Sequence, residues 1–338
     1  MTAIGCAVIG PGRMGELYAR ILARHPRADL VVIGGRSPDR VEPLAAELGA
    51  AAHSDGDWAA MLDAHPEIDA VVIATAEWAH LEPALAAAEA GKSVLLEKPV
   101  APSVADAATI ASALEASPTA MVCHTTRFDP LLARARERLR SGELGRVGYL
   151  YSRRNADLAT ASRVIGQIPM PFWITGHDVD LIRWFAGEEI VEVNAFGSEL
   201  DSPEGDFLHA ALRLESGARA LIETNWMGPA QDGLHHSRFD VQAERGRIEV
   251  DLAARSGLAS AGDSGAQPLE VTDLDSVEDD PGGASGAMLD AFLAAAADGG
   301  PAPVTPHDGL MAVVVCEAIQ SSLESGGPVD VAALREAV

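Results

Sequence analysis

Over its first 123 residues the chain repeats one pattern, and that pattern narrows the choice of fold more than any other feature. Short apolar, β-rich runs alternate with helical stretches: "IGCAVIG" (4–10), "DLVVIGG" (29–35), "DAVVIAT" (69–75), "KSVLLEK" (92–98) and "TAMVCHT" (119–125). Between them lie residues 14–25, with Leu17, Ile21 and Leu22 at helical spacing, an alanine-rich stretch at 80–90 and another near 104–116. Runs that are apolar throughout, rather than at alternate positions, belong to strands covered on both faces. Strands of that kind, separated by helices, form a parallel sheet. The spacing predicts a doubly wound α/β domain over residues 1–123.

From residue 124 to 338 the texture changes. "RVGYLYSRR" (146–154), "EIVEVNAFG" (189–197), "FLHAALRLESGARALIETNW" (207–226) and "RFDVQAERGRIEVD" (238–251) alternate in polarity with few helices between, and "ESGA" and "ERGR" read as hairpin turns. This predicts an α+β domain with a large open, mostly antiparallel sheet. Residues 253–286, rich in Gly, Ser, Ala and Asp, read as a surface loop around one short strand, followed by helices at about 286–297 and 307–325.

The formal net charge of −25 and pI near 4.6 argue against nucleic acid and anionic membrane surfaces as partners. No apolar run reaches the roughly 18 residues of a membrane span, and the first residues lack a secretory pattern. Cys6, Cys123 and Cys316 are far apart in apolar contexts, which suits free thiols in a reducing cytoplasm. No HExxH, CxxC, GxSxG or P-loop pattern occurs. His235 and His236, adjacent on a strand, would point to opposite faces, so no metal site is expected.

Three motifs carry chemistry. Gly10-Pro11-Gly12-Arg13-Met14-Gly15 follows a strand and opens a helix, the context in which such glycines allow a tight turn, approach of backbone to pyrophosphate, and close helix–strand packing. A glycine turn without ligand is the competing reading. The second strand then ends in Gly35 rather than an acid, followed by Arg36 and Ser37. That favours NADP, whose 2′-phosphate an arginine accommodates, while NAD stays compatible if Arg36 stacks on adenine. Next comes Lys98. Only two lysines occur, Lys92 and Lys98, against 23 arginines. Lys98 closes a strand at the edge where such sheets bind ligands, and Pro99 biases it to extended geometry. A lysine there offers a compact ammonium whose pKa falls on burial. Finally, "TGHD" reads as a helix start with Thr175 as N-cap and Asp178 at N3. His177 then falls in a first turn that disfavours imidazolium and suits a general base, with Asp180 placed to orient it.

Together with "PEIDAVVIATAEWAH" (66–80), "GKSVLLEKP" (91–99), "TTRFDP" (125–130) and "HDVDLIRW" (177–184), the glycine motif resembles the Gfo/Idh/MocA oxidoreductase family, from residue 4 to "DGL…SSLESG" (308–326). The resemblance implies an NAD(P)-dependent dehydrogenase of sugars, cyclitols or related alcohols. It further implies a Rossmann domain plus an open-sheet domain, and a homodimer or homotetramer. It implies that Thr75, His80, Glu97 and Lys98 border the nicotinamide, that Lys98 contacts the reacting oxygen and that His177 exchanges its proton. Arg127, Asn155, Trp173, Asp180, His235 and His236 fall in stretches that face the substrate pocket in relatives. Two departures stand out: Trp173 replaces the family's aspartate four residues before His177, and Ala76 replaces a proline after Thr75. The acidic surface adds an aminosugar or aminoglycoside-like substrate as an expectation. A glycosidase working by oxidation and elimination with retained NAD, and a non-catalytic cofactor sensor, are the alternatives.

Overall fold

The computed structural model describes residues 3–162, 164–198, 206–228, 236–262, 265–271 and 283–336. The chain forms two compact units: Met1–Phe128 with Ser276–Leu310, and Asp129–Asp275 with Met311–Val338.

In the first unit, β1 (Ile4–Ile9), β2 (Ala28–Gly34), β3 (Ala51–His53), β4 (Ala70–Ile73), β5 (Ser93–Leu96) and β6 (Ala120–Val122) form one sheet in the order β3-β2-β1-β4-β5-β6. Every neighbouring pair is parallel. All residues of β1, β4 and β5 are buried, as continuous apolar runs require. The crossovers carry α1 (Arg13–Leu22), α2 (Pro38–Leu48), α3 (Trp58–Ala64), α4 (Leu81–Glu89) and α5 (Val104–Leu114). Asp57 and Ser103 cap α3 and α5, accepting from the N–H of Ala60 at 3.0 Å and of Asp106 at 3.1 Å. This is the Rossmann topology, with its switch point between β1 and β4.

The first unit does not end where the texture of the sequence changes. Helix Ala284–Asp298, expected within a continuous 124–338 domain, packs against α1. Asp290 accepts from His25 Nε2 at 2.7 Å and pairs with Arg27 at 3.0 Å, and Ala295 O accepts from Thr119 Oγ1 at 3.3 Å. Further on, Val304 O accepts from the N–H of Val122 at 3.2 Å, extending the hydrogen bonding of β6. Gly309 packs on Val100 and Val122, and Met288, Leu289 and Phe292 are buried on the helix, so the return segment also carries apolar contacts of the first unit.

The second unit begins with α6 (Pro130–Arg140), capped by Asp129. Its strands are β7 (Val147–Asp157), β8 (Ile190–Ser198), β9 (Phe207–Leu214), β10 (Arg219–Gly228), β11 (His236–Ala243), β12 (Gly246–Asp251), β13 (Ser256–Ala261), β14 (Gln267–Pro268) and β15 (Val329–Asp330), with a short α7 (Leu158–Ala161) and α8 (Gly176–Ala186) between β7 and β8. Among the described residues the sheet runs β14-β13-β12-β11-β7-β10-β9-β8-β15, and only β7–β10 is parallel. The hairpin turns fall at the two places expected, between β9 and β10 and between β11 and β12. Helix α8 packs on this sheet through Phe185, whose ring lies 4.5 Å from that of Phe239 in β11. Ser322, fully buried, donates toward the chain end at Gly327 O and accepts from the N–H of Ala195 at 2.8 Å. No helix among the described residues is long and apolar enough to cross a membrane.

Candidate active site

The glycine turn has the shape a dinucleotide needs. Gly10 has φ +96, and a Cβ there would lie 2.6 Å from Thr75 N, against the carboxyl end of β4. At Gly15 a Cβ would meet Gly10 O at 2.0 Å, so close packing of α1 on β1 requires glycine. Gly12 differs, because nothing lies within 4 Å of its Cβ position. Open space in front of Gly12, at the N-terminus of α1, is where a pyrophosphate meets backbone N–H groups. Gly12 is the N-cap and contributes no side chain, with Arg13 exposed and Met14 half-buried after it. Beside the turn lies a cavity of about 410 Å³ lined by Pro11, Gly12, Arg13, Arg40, Pro43 and Glu47, among others. These residues fit a dinucleotide.

At the end of β2 the structure gives a steric reason for the missing acid. A Cβ on Gly35 would lie 2.6 Å from Val41 Cγ2 and 2.9 Å from Pro11 Cδ, so no carboxylate side chain fits there. Arg36 is exposed, and its guanidinium pairs with Glu82, at the start of α4. Ser37 is the N-cap of α2 by backbone geometry but makes no capping hydrogen bond with its side chain.

Lys98 lies two residues beyond β5 and is half-buried, next to a buried acid. Glu97 is 9% exposed. It accepts from Tyr18 Oη at 2.5 Å and from the N–H of Lys98 at 2.9 Å. Burial raises its pKa above the ordinary 4.5, against the opposing pull of the Lys98 ammonium and of the Tyr18 hydrogen bond. Burial likewise pushes up the Tyr18 hydroxyl and the Cys123 thiol, which share this pocket. His80 is 1% exposed and acts as a strut: Nδ1 faces the carbonyls of Pro99 and Val100, both at 3.1 Å, and Nε2 faces that of Thr75 at 3.2 Å. Burial lowers its pKa. Whichever nitrogen carries the proton of the neutral ring, it donates to a backbone carbonyl, so His80 ties down the Lys98 loop or the end of β4. Thr75 differs again. Its Oγ1 is buried with no hydrogen-bond partner among the described residues, at the carboxyl end of β4.

In the second unit His177 is half-buried in the first turn of α8. The capping box expected at Thr175 and Asp178 is not formed. A π-helical turn, Pro171–Thr175, runs directly into α8, so Thr175 has helical φ −69 and ψ −25 and no cap hydrogen bond. Its Oγ1 bonds Thr224 Oγ1 at 3.3 Å instead. With helical backbone continuing ahead of it, His177 does not stand at a bare helix N-terminus, and the dipole argument for its protonation state falls. Asp178 is fully buried and turns to the sheet, accepting from Ser152 Oγ at 2.6 Å and pairing with Arg154 Nε at 3.1 Å. Asp180 is also fully buried on α8. Trp173 is half-buried, its ring 6.2 Å from that of buried Trp226 and tilted by 48°.

Of the remaining candidates, Arg127 belongs to the first unit, where its guanidinium is committed to Asp308 at 3.2 Å and to Pro303 O at 3.4 Å. Asn155 stands in register with Asn225 on one side and His236 on the other, and its Oδ1 is buried without a hydrogen-bond partner among the described residues. The backbone of His236 opens β11, and His235 lies outside the described residues. Sequence reasoning missed Tyr18, one turn into α1, and Glu82. Tyr18 carried a signal, since a tyrosine on the buried face of a helix needs a polar partner. Glu82 carried none.

A family model described as "Oxidoreductase family, NAD-binding Rossmann fold" matches residues 4–124, and a GFO/IDH/MocA C-terminal domain model matches residues 132–249. A scyllo-inositol 2-dehydrogenase (NAD(+)) of Bacillus subtilis strain 168 is 32% identical over 260 residues, 73% of this chain and 73% of that one. An inositol 2-dehydrogenase 2 of Saccharopolyspora erythraea is 32% identical over 339 residues, 96% of this chain and 95% of that one. Among solved structures, scyllo-inositol dehydrogenase from Lactobacillus casei with bound NAD(H) and scyllo-inositol superposes with a TM-score of 0.83 at 22% identity, covering 98% of this chain and 100% of that one, a likeness of fold.

Proposed function

Because the chain belongs to the Gfo/Idh/MocA oxidoreductase family, we propose that it is a dehydrogenase of a ring secondary alcohol in a cyclitol or sugar, working with NAD(P). The observation that carries the reading is the glycine turn, closed by backbone at Gly10 and Gly15 and open only at Gly12. The names of the relatives direct the substrate class toward inositols. Two features of this chain support a polyhydroxylated ring. The Asn155 amide oxygen has no hydrogen-bond partner among the described residues, and the Trp173 ring beside Trp226 offers an apolar wall for the C–H face of such a ring.

Bound nicotinamide supplies the hydride acceptor or donor. The chain does the rest. Gly10, Gly12, Met14 and Gly15 let the backbone approach the pyrophosphate, and Thr75 Oγ1 is available to the coenzyme from the end of β4. The Lys98 ammonium donates to the substrate oxygen and stabilises alkoxide as it develops. His177 takes the hydroxyl proton in oxidation and returns it in reduction. Glu97 and His80 hold the Lys98 loop from below through its N–H and its carbonyls.

Inositols, neutral sugars and aminosugars offered with NAD and with NADP, followed by coenzyme reduction, identify the substrate. The acidic surface supports an amino-substituted ring, whose apparent affinity would then weaken with salt. Lys98→Met is expected to cut kcat at least about a thousandfold, since it removes a charged donor to the reacting oxygen, while leaving coenzyme affinity within a few fold. Turnover surviving in that variant would remove Lys98 from the chemistry. Homodimers or homotetramers, which the family resemblance supports, are checked by light scattering.

A further inference from the structure

Arg36 and Glu82 are 46 residues apart in the chain, yet they form an ion pair. Arg36 follows β2, and Glu82 opens α4, the helix that follows β4. Strands β2 and β4 flank β1, so the pair reaches across the carboxyl end of β1. That is the crevice in which a sheet of this order receives a dinucleotide, with the adenosine ribose toward β2. The stem of Arg36 is set from beneath by Gly56, where a Cβ would lie 3.0 Å from Arg36 Cγ. Position 35, the usual place for the acid that binds ribose hydroxyls, is closed by Pro11 and Val41. The carboxylate the ribose needs is therefore absent from β2, while a carboxylate from another element stands on the neighbouring guanidinium.

We propose that Glu82 takes the part of the missing β2 acid and sets coenzyme choice, giving NAD(H) preference over NADP(H). The inference rests on the dinucleotide reading above. A ribose 2′-hydroxyl can donate to the Glu82 carboxylate. A 2′-phosphate, which is acceptor-only and carries nearly two negative charges, meets that carboxylate's repulsion and finds Arg36 already engaged. Arg36 and Glu82 side chains are 60% and 67% exposed, so their pairing adds little to folding. Discrimination is a different quantity. Two close charges of like sign, screened as in water, are worth about a tenfold difference in affinity between the coenzymes.

Titration of the full chain with NADH and with NADPH, read by coenzyme fluorescence or calorimetry, tests this without turnover. Wild type is expected to bind NADH about tenfold more tightly. Glu82→Gln is expected to bring the NADPH to NADH affinity ratio up about tenfold, and Arg36→Met in the Glu82→Gln background to reverse that gain. Wild-type preference for NADPH, or an unchanged ratio in Glu82→Gln, overturns the role of Glu82 and leaves the dinucleotide site standing. Failure of wild type to bind either coenzyme removes both.

Discussion

Glu97 is the residue whose environment most constrains its chemistry. Its folded-state pKa lies above the ordinary 4.5, so between those two values the folded protein keeps a proton that the unfolded chain has released. Stability contributed at this position therefore falls as pH rises from about 4.5 through the raised value, and above that the full cost of a buried charge remains. Glu97→Gln is expected to become more stable relative to wild type as pH increases over that window, measured by thermal unfolding at several pH values. A stability gap that does not vary with pH would mean the carboxyl is not strained by burial. Tyr18→Phe acts in the opposite sense. It removes the hydroxyl donated to Glu97 and should lower stability by about 1–3 kcal/mol, with the greater loss above the raised pKa of Glu97, where the carboxylate needs its donor. The placement of the glycines at the start of α1 and of Lys98 just beyond β5 was legible because strand and helix spacing fix it. The Tyr18–Glu97 contact was not, because 79 residues separate its members.

Among the elements, α8 shows how a sound local rule gives the wrong answer. Thr-x-x-Asp before an apolar run signals a capping box only if the chain ahead is extended. Here the π-helical turn at Pro171–Thr175 supplies helical backbone in advance, and Asp178 is released to the sheet. Its partners Ser152 and Arg154 lie on β7, at a distance in sequence that no periodicity reveals. This changes what a substitution should do. Loss of a helix cap costs about 1 kcal/mol. Asp178→Ala, which leaves Arg154 buried beside an empty position, should cost about 3–5 kcal/mol and show as a large fall in Tm. A loss no larger than a cap's would argue that the pair does not form. The longer strands of both sheets, by contrast, were legible to within a few residues, because burial on one face or two is written directly into their apolar pattern, whereas the short edge strands β3 and β15 were not, being too brief to carry one.

At the scale of the whole molecule, the sequence changes texture near residue 124 and the N-terminal segment of the first unit runs to Phe128, whereas nothing in the sequence marks the return of residues 284–310. An alanine-rich helix carries no mark of which sheet it will cover. The structure assigns it to the first unit through Asp290, Ala295 and Val304. Residues 1–128 expressed alone are thus expected to expose apolar surface, bind a hydrophobic dye and unfold with poor cooperativity. The same segment joined by a flexible linker to residues 283–310 should recover a cooperative transition. A well-folded 1–128 fragment would show the return helix to be dispensable.

That discontinuity has a temporal consequence. A ribosome working from the N-terminus releases the strands and glycine turn of the first unit early, then most of the large sheet of the second, and only afterwards the helix that completes the first. Each newly made chain must carry an unfinished coenzyme half through most of its synthesis. A nascent polypeptide stalled just short of residue 310 should accordingly be the form most readily captured by chaperones and cut by proteases.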